Sequence, residues 1–151
     1  MAQGGKIEYE FERQWWDGPE TDVVFRPIIP IAVRSGDKET RIVKGLIDSG
    51  SNTSYVDEEL AEDLGVDLDS CHEVPIGGLG LPGNRGRVCT VKIYVVDFDY
   101  EYESHVIFAK VEAQTVLLGV RDFFKEFNVL FEATKEGKGF FTVMKIPRLG
   151  H

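Results

Sequence analysis

Cysteine and histidine are scarce in this 151-residue sequence, which contains two cysteines and three histidines. Two cysteines are too few for the disulfide framework of a small secreted scaffold, and Cys71 and Cys89 lack the Cys-x-x-Cys spacing of metal or redox sites. His72, His105 and His151 do not have the spacing of zinc ligands either. We therefore expect no metal, no cofactor and two free thiols.

Long apolar runs and clustered positive charge are also missing. No run approaches the ~18 apolar residues of a membrane span, and Lys6, Glu8 and Glu10 stand where a signal peptide needs an apolar stretch. The formal net charge of -9 repels phosphates and anionic membrane surfaces. The densest basic stretch, at residues 84–87, is too short to follow a nucleic-acid backbone. We expect a cytoplasmic protein that binds neither nucleic acid nor a membrane.

The hydrophobic fraction of 42% and the charged fraction of 28% are those of an ordinary folded domain. Apolar and charged residues alternate at residues 6–13, which predicts a strand, and residues 14–20 are interpreted as a loop. Residues 22–34 are rich in β-branched side chains but contain Pro27 and Pro30, which cannot donate hydrogen bonds to a neighbouring strand. That segment is therefore predicted to be an edge strand.

Later segments predict further strands and two short helices. Paired strand patterns predict two hairpins, at residues 88–96 with 102–111 and at residues 129–131 with 140–146. The first helix is expected to be capped by Asp57 and stopped by Gly65, and the second spans residues 121–127. Many short strands with regular turn signals favour a closed barrel or a sandwich over an alternating βαβ fold.

An apolar strand runs directly into an Asp-Ser-Gly tripeptide at residues 48–50. Because Asp48 follows Leu46 and Ile47, its carboxylate is expected at the rim of the core, where burial and backbone N–H donors control its pKa. Gly50 allows a sharp turn and can present its N–H to that carboxylate. All three residues also favour turns, so the tripeptide alone predicts no more than a turn.

Three segments together resemble the retropepsin family, the retroviral-type aspartic peptidases and their cellular relatives, in which each chain carries one Asp-Thr/Ser-Gly loop. They occur in the family's order, at residues 46–51 followed by 54–56, at the glycine-rich residues 75–80, and at residues 115–119 running into 121–124. The resemblance covers roughly residues 23–146. It departs from the family at Val120, which separates Gly119 from Arg121, so we do not assign Arg121 the family's structural ion pair.

The resemblance implies an all-β fold, a retropepsin-like closed acid-protease barrel with two short helices that is active as a homodimer. Residues 1–21 would be an N-terminal extension and residues 22–151 the peptidase domain. Asp48 is the implied catalytic residue, with Ser49 and Gly50 supporting the active site. The implied substrate-binding flap consists of Ile76, Gly77, Gly78, Leu79 and Gly80.

Peptide hydrolysis without a metal needs one group to activate water and another to donate a proton, and one aspartate cannot do both. The sequence contains a single Asp-Ser-Gly, so two chains would have to supply the pair across a twofold axis. The predicted activity is cleavage of internal bonds in an extended peptide or protein by a water held between two Asp48 carboxylates. The alternative is a catalytically weak peptide-binding or dimerisation module with the same fold.

Two other patterns have competing interpretations. Residues 78–83 match Gly-x-Gly-x-x-Gly, but no helix is predicted to begin there and bind a phosphate, so we interpret them as part of the flap. Cys71 and Cys89 lie almost symmetrically on either side of the glycine-rich loop. A cross-strand disulfide is therefore a hypothesis beside the simpler one of two free thiols.

Overall fold

The computed structural model of the chain describes residues 5–16, 22–76, 85–132 and 138–147. Strands account for 59% of the structure and helices for 11%, which confirms the prediction of a mostly-β fold. The strands in the described ranges are β1 (Lys6–Glu10), β2 (Glu12–Trp16), β3 (Asp22–Arg26), β4 (Ile28–Ser35), β5 (Lys38–Glu39), β6 (Val43–Ile47), β7 (Tyr55–Asp57), β8 (His72–Pro75), β9 (Arg85–Val95), β10 (Tyr100–Ala109), β11 (Thr115–Leu118), β12 (Phe127–Phe131) and β13 (Phe140–Lys145).

Helical structure is confined to short segments. In the same ranges it consists of α1 (Phe123–Glu126) and of 3-10 helices at Glu58–Ala61, Leu68–Ser70 and Val96–Phe98. Across the part of the chain that the structure describes, every helix falls short of the length and apolarity that a membrane span requires.

Six strands close a mixed β-barrel in the order β4-β6-β11-β7-β10-β9, with β9 pairing back onto β4. The pairs β6–β11 and β7–β10 are parallel, and the other four pairs are antiparallel. Strand β11 pairs with both β6 and β7, which precede and follow the Asp-Ser-Gly loop in the sequence. The barrel therefore holds the two ends of that loop against one buried strand.

The barrel interior is apolar because inward positions alternate along its strands. In β9, Val91, Ile93 and Val95 are buried, whereas Thr90 and Lys92 are exposed. Burying one such aliphatic side chain contributes about 1.5–3 kcal/mol of transfer free energy. The same core contains five buried phenylalanines, namely Phe98, Phe108, Phe123, Phe127 and Phe141.

A separate three-stranded sheet, β1-β13-β12, packs against this core. Strand β1 alternates between exposed and half-buried positions, as predicted, and its Ile7 and Tyr9 side chains contact the core. The Tyr9 hydroxyl donates a hydrogen bond to Asp97 Oδ2 at 3.0 Å. The first described strand is thus paired with the last one, and the division of the chain at residue 21 stays a prediction.

Strand β4 corrects the prediction of an edge strand at residues 22–34. The segment divides at Pro27 into β3 and β4, and β4 is an interior strand that pairs with β6 and β9. Pro30 lies opposite Lys44 of β6, but pairing with β9 begins only at Ile31. A proline lacks one donor, and β4 tolerates Pro30 because it lies outside the β4–β9 ladder.

The loop predicted at residues 14–20 is wrong in its first part. Strand β2 continues to Trp16 and pairs antiparallel with β3, so residues 14–16 belong to a strand. Residues 17–20 lie outside the described ranges.

The first predicted helix is a 3-10 helix, and Asp57 does not cap it. Asp57 is buried, and its Oδ2 accepts the backbone N–H of Gln114 at 2.6 Å instead. Gly65 follows the helical segment with a φ of 63°, the left-handed conformation that ends a helix, as predicted. The second predicted helix is present as the single turn α1.

Candidate active site

Strand β6 delivers the chain to Asp48. Its residues Val43, Gly45 and Ile47 are buried in the barrel, between β4 on one side and β11 on the other. Ile47 is 3% exposed, whereas Asp48 directly after it is half-buried. The Asp48 carboxyl therefore lies at the rim of the core, where the sequence predicts it.

Backbone hydrogen bonds fix the Asp-Ser-Gly turn. The Asp48 N–H donates to Leu118 O at 2.9 Å, and the Ser51 N–H donates to Asp48 O at 3.2 Å. The Gly50 N–H donates to Asp48 Oδ1 at 2.9 Å, the contact expected from the sequence. Ser49 and Gly50 are exposed on the outer side of the turn. The carboxyl is thus oriented by its own loop, and the tip of that loop is exposed.

The chain that leaves β11 crosses directly behind this loop. The Val120 N–H donates to Ser51 O at 2.8 Å, and the Arg121 N–H donates to Asn52 O at 2.9 Å. Gly119 lies so close to the loop that a Cβ added to it would be 2.6 Å from the carbonyl carbon and oxygen of Thr53. Two separate segments of backbone are therefore in contact beside Asp48.

A network of side chains, which the sequence analysis missed, fastens this crossing. Asp122 accepts the Ser54 hydroxyl through Oδ1 at 2.7 Å and the Ser104 hydroxyl through Oδ2 at 2.5 Å. Ser54 Oγ in turn accepts the Gly119 N–H at 2.9 Å. The only sequence signal is the Arg-Asp pair that follows Gly119 and Val120. Arg121 itself is exposed and forms no ion pair with any residue in the described ranges.

Asp122→Ala is expected to lower the free energy of unfolding by about 2–3 kcal/mol, because it removes the acceptor of two hydroxyls in a buried site. Ser54 is 0% exposed and Ser104 is 3% exposed, so both hydroxyls lose their acceptor at a buried position. Urea unfolding of both proteins at equal concentration measures the change. Asp122→Asn keeps one carbonyl acceptor and should lose less. Equal stability of Asp122→Ala and the wild type would contradict the role of this network.

A bidentate ion pair anchors the loop that precedes β11. Arg26 donates to Glu112 through Nη1 at 3.0 Å and Nη2 at 2.5 Å. The hydrogen bond from Arg26 holds the pKa of Glu112 below its usual value. Two residues later, Gln114 has a φ of 54° and donates its N–H to the buried Asp57. A non-glycine residue in this conformation is held there by its surroundings.

Asp48 lines neither of two cavities, one at the start of β6 and one at the end of the Asp48 loop. One, of about 620 Å³, lies beside the start of β6 and the residues before β11, from Ile28 and Lys44 to Thr115. The other, of about 610 Å³, is lined by Ser54, Asp122 and other residues near the end of the loop. A single chain therefore leaves Asp48 outside these concave sites. Among the described residues, no group of three or more histidine, cysteine or acidic side chains is arranged to hold a metal ion.

Of the predicted flap, only Ile76 lies in the described ranges, and Gly77, Gly78, Leu79 and Gly80 lie outside them. Ile76 follows β8 and is buried, with 7% of its surface exposed. Its Cδ1 is 2.9 Å from the position of a Cβ added to Gly86, and Ile107 Cγ2 is 2.4 Å from the same position. The base of the predicted flap is therefore packed onto β9 and β10.

Comparison with known proteins identifies similar folds. No protein-family model and no curated protein matches the sequence. The chain is similar to the crystal structure of a retropepsin-like aspartic protease from Rickettsia conorii, with 16% identity, a TM-score of 0.57 and coverage of 93% of this chain and 95% of that one. It is also similar to the retroviral protease-like domain of Ddi1 from Leishmania major, with 16% identity, a TM-score of 0.42 and coverage of 81% and 96%.

The closed barrel, with β11 between the two ends of the Asp-Ser-Gly loop, and the similarity to the Rickettsia conorii structure define the class: the chain has a retropepsin-like fold. The family resemblance in the sequence is confirmed at the level of fold. At an identity of 16%, this similarity shows the fold.

Proposed function

We propose that the protein is an aspartic endopeptidase that acts as a homodimer, with two Asp48 carboxyls activating one water across the twofold axis. The observation that supports this proposal best is the position of Asp48. Asp48 directly follows a buried strand. Its carboxylate accepts the Gly50 N–H, and its own N–H donates to Leu118 O. Catalytic groups need this kind of preorganisation, because a misplacement of 1 Å can cost about 100-fold in rate.

The need for a second chain follows from the chemistry. Each chain has one Asp-Ser-Gly, and Ser49 and Gly50 at its tip are exposed and available to a partner. Asp48 lines neither of the two cavities described above, and we expect a partner chain to complete a cleft around it. A twofold-related copy supplies both the missing carboxyl and one wall of that cleft.

The two carboxyls divide the work of hydrolysis. At a separation of about 3 Å they cannot both ionise, so the pair holds one proton between them. The ionised Asp48 accepts a proton from water as the water oxygen attacks the peptide carbonyl carbon, and the protonated Asp48 donates to the carbonyl oxygen. The Asp48 that accepted the water proton then donates it to the leaving nitrogen, and the C–N bond breaks. A hydroxyl of the tetrahedral intermediate returns a proton to the other Asp48, which restores the shared-proton state.

The substrate in this proposal is an extended peptide segment. Ile76 to Gly80 would lie over it as the flap, and Asp48 of each chain below it. An extended backbone suits such a cleft because its amide groups remain free to pair with flanking strands.

The test is cleavage of an unstructured peptide library by the purified protein from acid to neutral pH. Mass spectrometry identifies the products, and light scattering gives the molar mass at each protein concentration. We expect cleavage at internal bonds and a specific activity that rises with concentration as monomers form dimers. Constant specific activity from a stable monomer would contradict the shared pair. A dimer that cleaves nothing would favour the peptide-binding module instead.

A further inference from the structure

The two cysteines lie opposite each other on neighbouring strands. Strand β8 pairs antiparallel with β9, and His72 lies opposite Val88. Continuing this register by one residue places Cys71 opposite Cys89. Directly opposed residues of antiparallel strands have Cα atoms about 4.5–5.5 Å apart, and a disulfide requires about 4.4–6.8 Å. The strand pairing therefore sets a separation that a disulfide can span.

The two side chains also lie in the same apolar cluster, in which Cys89 is buried and Cys71 packs against it. Burial, and after it the neighbouring Cys71 side chain, raises the pKa of Cys89 to about 12. The Cys71 thiol donates to Asp67 O at 3.5 Å, so this hydrogen bond breaks when the two sulfur atoms join.

The backbone around Cys71 is anchored. Its N–H donates to Leu68 O at 3.1 Å, and its carbonyl accepts Arg87 Nη1 at 3.1 Å. The second contact ties Cys71 to β9, two residues from Cys89. The pair is therefore held together by contacts that do not involve the thiols.

The two thiols differ in access. Cys71 is half-buried, whereas Cys89 is 8% exposed. A reagent from solution can thus reach Cys71 more readily than Cys89. This is the arrangement of an attacking and a resolving thiol in thiol–disulfide exchange.

We propose that Cys71 and Cys89 form a redox-active dithiol, which a small-molecule disulfide oxidises to an intramolecular disulfide. The Cys71 thiol loses its proton and attacks the oxidant, which releases one thiol and leaves a mixed disulfide on Cys71. The Cys89 thiol then loses its proton, attacks the Cys71 sulfur and releases the second thiol. The two cysteines lose two electrons and two protons, and the oxidant gains them as two thiols. The proposal is independent of the peptidase function.

Oxidised glutathione, followed by dithiothreitol, tests the site on the purified full chain. We expect the titratable thiols to fall from two to none, the mass to fall by about 2 Da, and peptide mapping to join Cys71 to Cys89. The cross-link closes residues 72–88 into a loop, so the melting temperature should rise by about 6–12 °C. Dithiothreitol should reverse all these changes.

Two serine variants test the order of attack. Cys89→Ser should stop at one glutathione adduct on Cys71, and Cys71→Ser should react hardly at all, because Cys89 is buried. Neither should gain thermal stability on oxidation, and melting under reducing conditions confirms that each is folded. Two unreacted thiols, a lasting adduct on wild-type Cys71, or a disulfide between chains would overturn the proposal. No peptide cleavage is measured, so a failure here is distinct from a failure of the proposed peptidase activity.

Discussion

Asp48→Asn is expected to lower the rate of peptide cleavage by at least about 1,000-fold, since general acid and base catalysis each contribute about 10²–10⁴. The substitution removes both catalytic groups of the proposed dimer at once, because each chain supplies the same residue. An amide neither accepts the proton of the attacking water nor donates one to the carbonyl oxygen. Comparison of kcat/KM for the two proteins on one peptide measures the loss.

The stability of Asp48→Asn should stay close to that of the wild type. Asparagine retains an Oδ1 that can accept the Gly50 N–H, and the backbone bond to Leu118 does not involve the side chain. Asp37→Asn is a matched control, because it makes the same chemical change in the exposed turn between β4 and β5. We expect Asp37→Asn to cleave at the wild-type rate. Equal activity of Asp48→Asn and Asp37→Asn would exclude Asp48 from the chemistry.

Mixing the wild type with Asp48→Asn distinguishes an active site shared by two chains from an active site contained in each chain. If subunits exchange freely, adding an equal amount of Asp48→Asn leaves one wild-type pair in about four dimers and lowers the activity to about half that of the wild type alone. An active site contained in one chain would be unaffected by the addition. Asp37→Asn added in the same amount serves as the control and should cause no loss.

The barrel strands were predictable where the pattern is local. The hairpin of β9 and β10 follows from two adjoining segments rich in strand-forming residues, predicted at 88–96 and 102–111. The closing hairpin of β12 and β13 follows in the same way. The Asp48 loop was predictable too, because a charged residue after two large apolar ones marks the end of a buried strand.

Features that depend on distant partners were not predictable in this way. The helix-capping prediction for Asp57 failed because a distant donor, the Gln114 N–H, competes for its carboxylate. Asp122 was overlooked because its two hydroxyl partners, Ser54 and Ser104, lie 68 and 18 residues away in the sequence. Pro30 suggested an edge strand because the sequence of one segment does not show which strands pair with it or at which residue each pairing begins.

The crossing behind Asp48 provides the second large effect. Gly119→Ala is expected to lower the free energy of unfolding by at least about 3 kcal/mol, because overpacking against backbone atoms cannot be relieved by side-chain rotation. The new Cβ would lie 2.6 Å from the Thr53 carbonyl group and 2.9 Å from Ser51 O. Urea unfolding at fixed protein concentration measures the change.

Gly36→Ala is the control that separates crowding from backbone strain. Gly36 has a φ of 59°, and an added Cβ there would meet no atom within 4 Å, so alanine should cost only about 1–2 kcal/mol. Gly119 presents the opposite case, close contact without a left-handed conformation. Because Ser51 O accepts the Val120 N–H, separating the segments also disturbs the loop that orients Asp48. Gly119→Ala should therefore lose peptide cleavage even where it remains folded, whereas Gly36→Ala should keep it. Equal losses of stability in the two variants would show that the contact at Gly119 does not hold the loop.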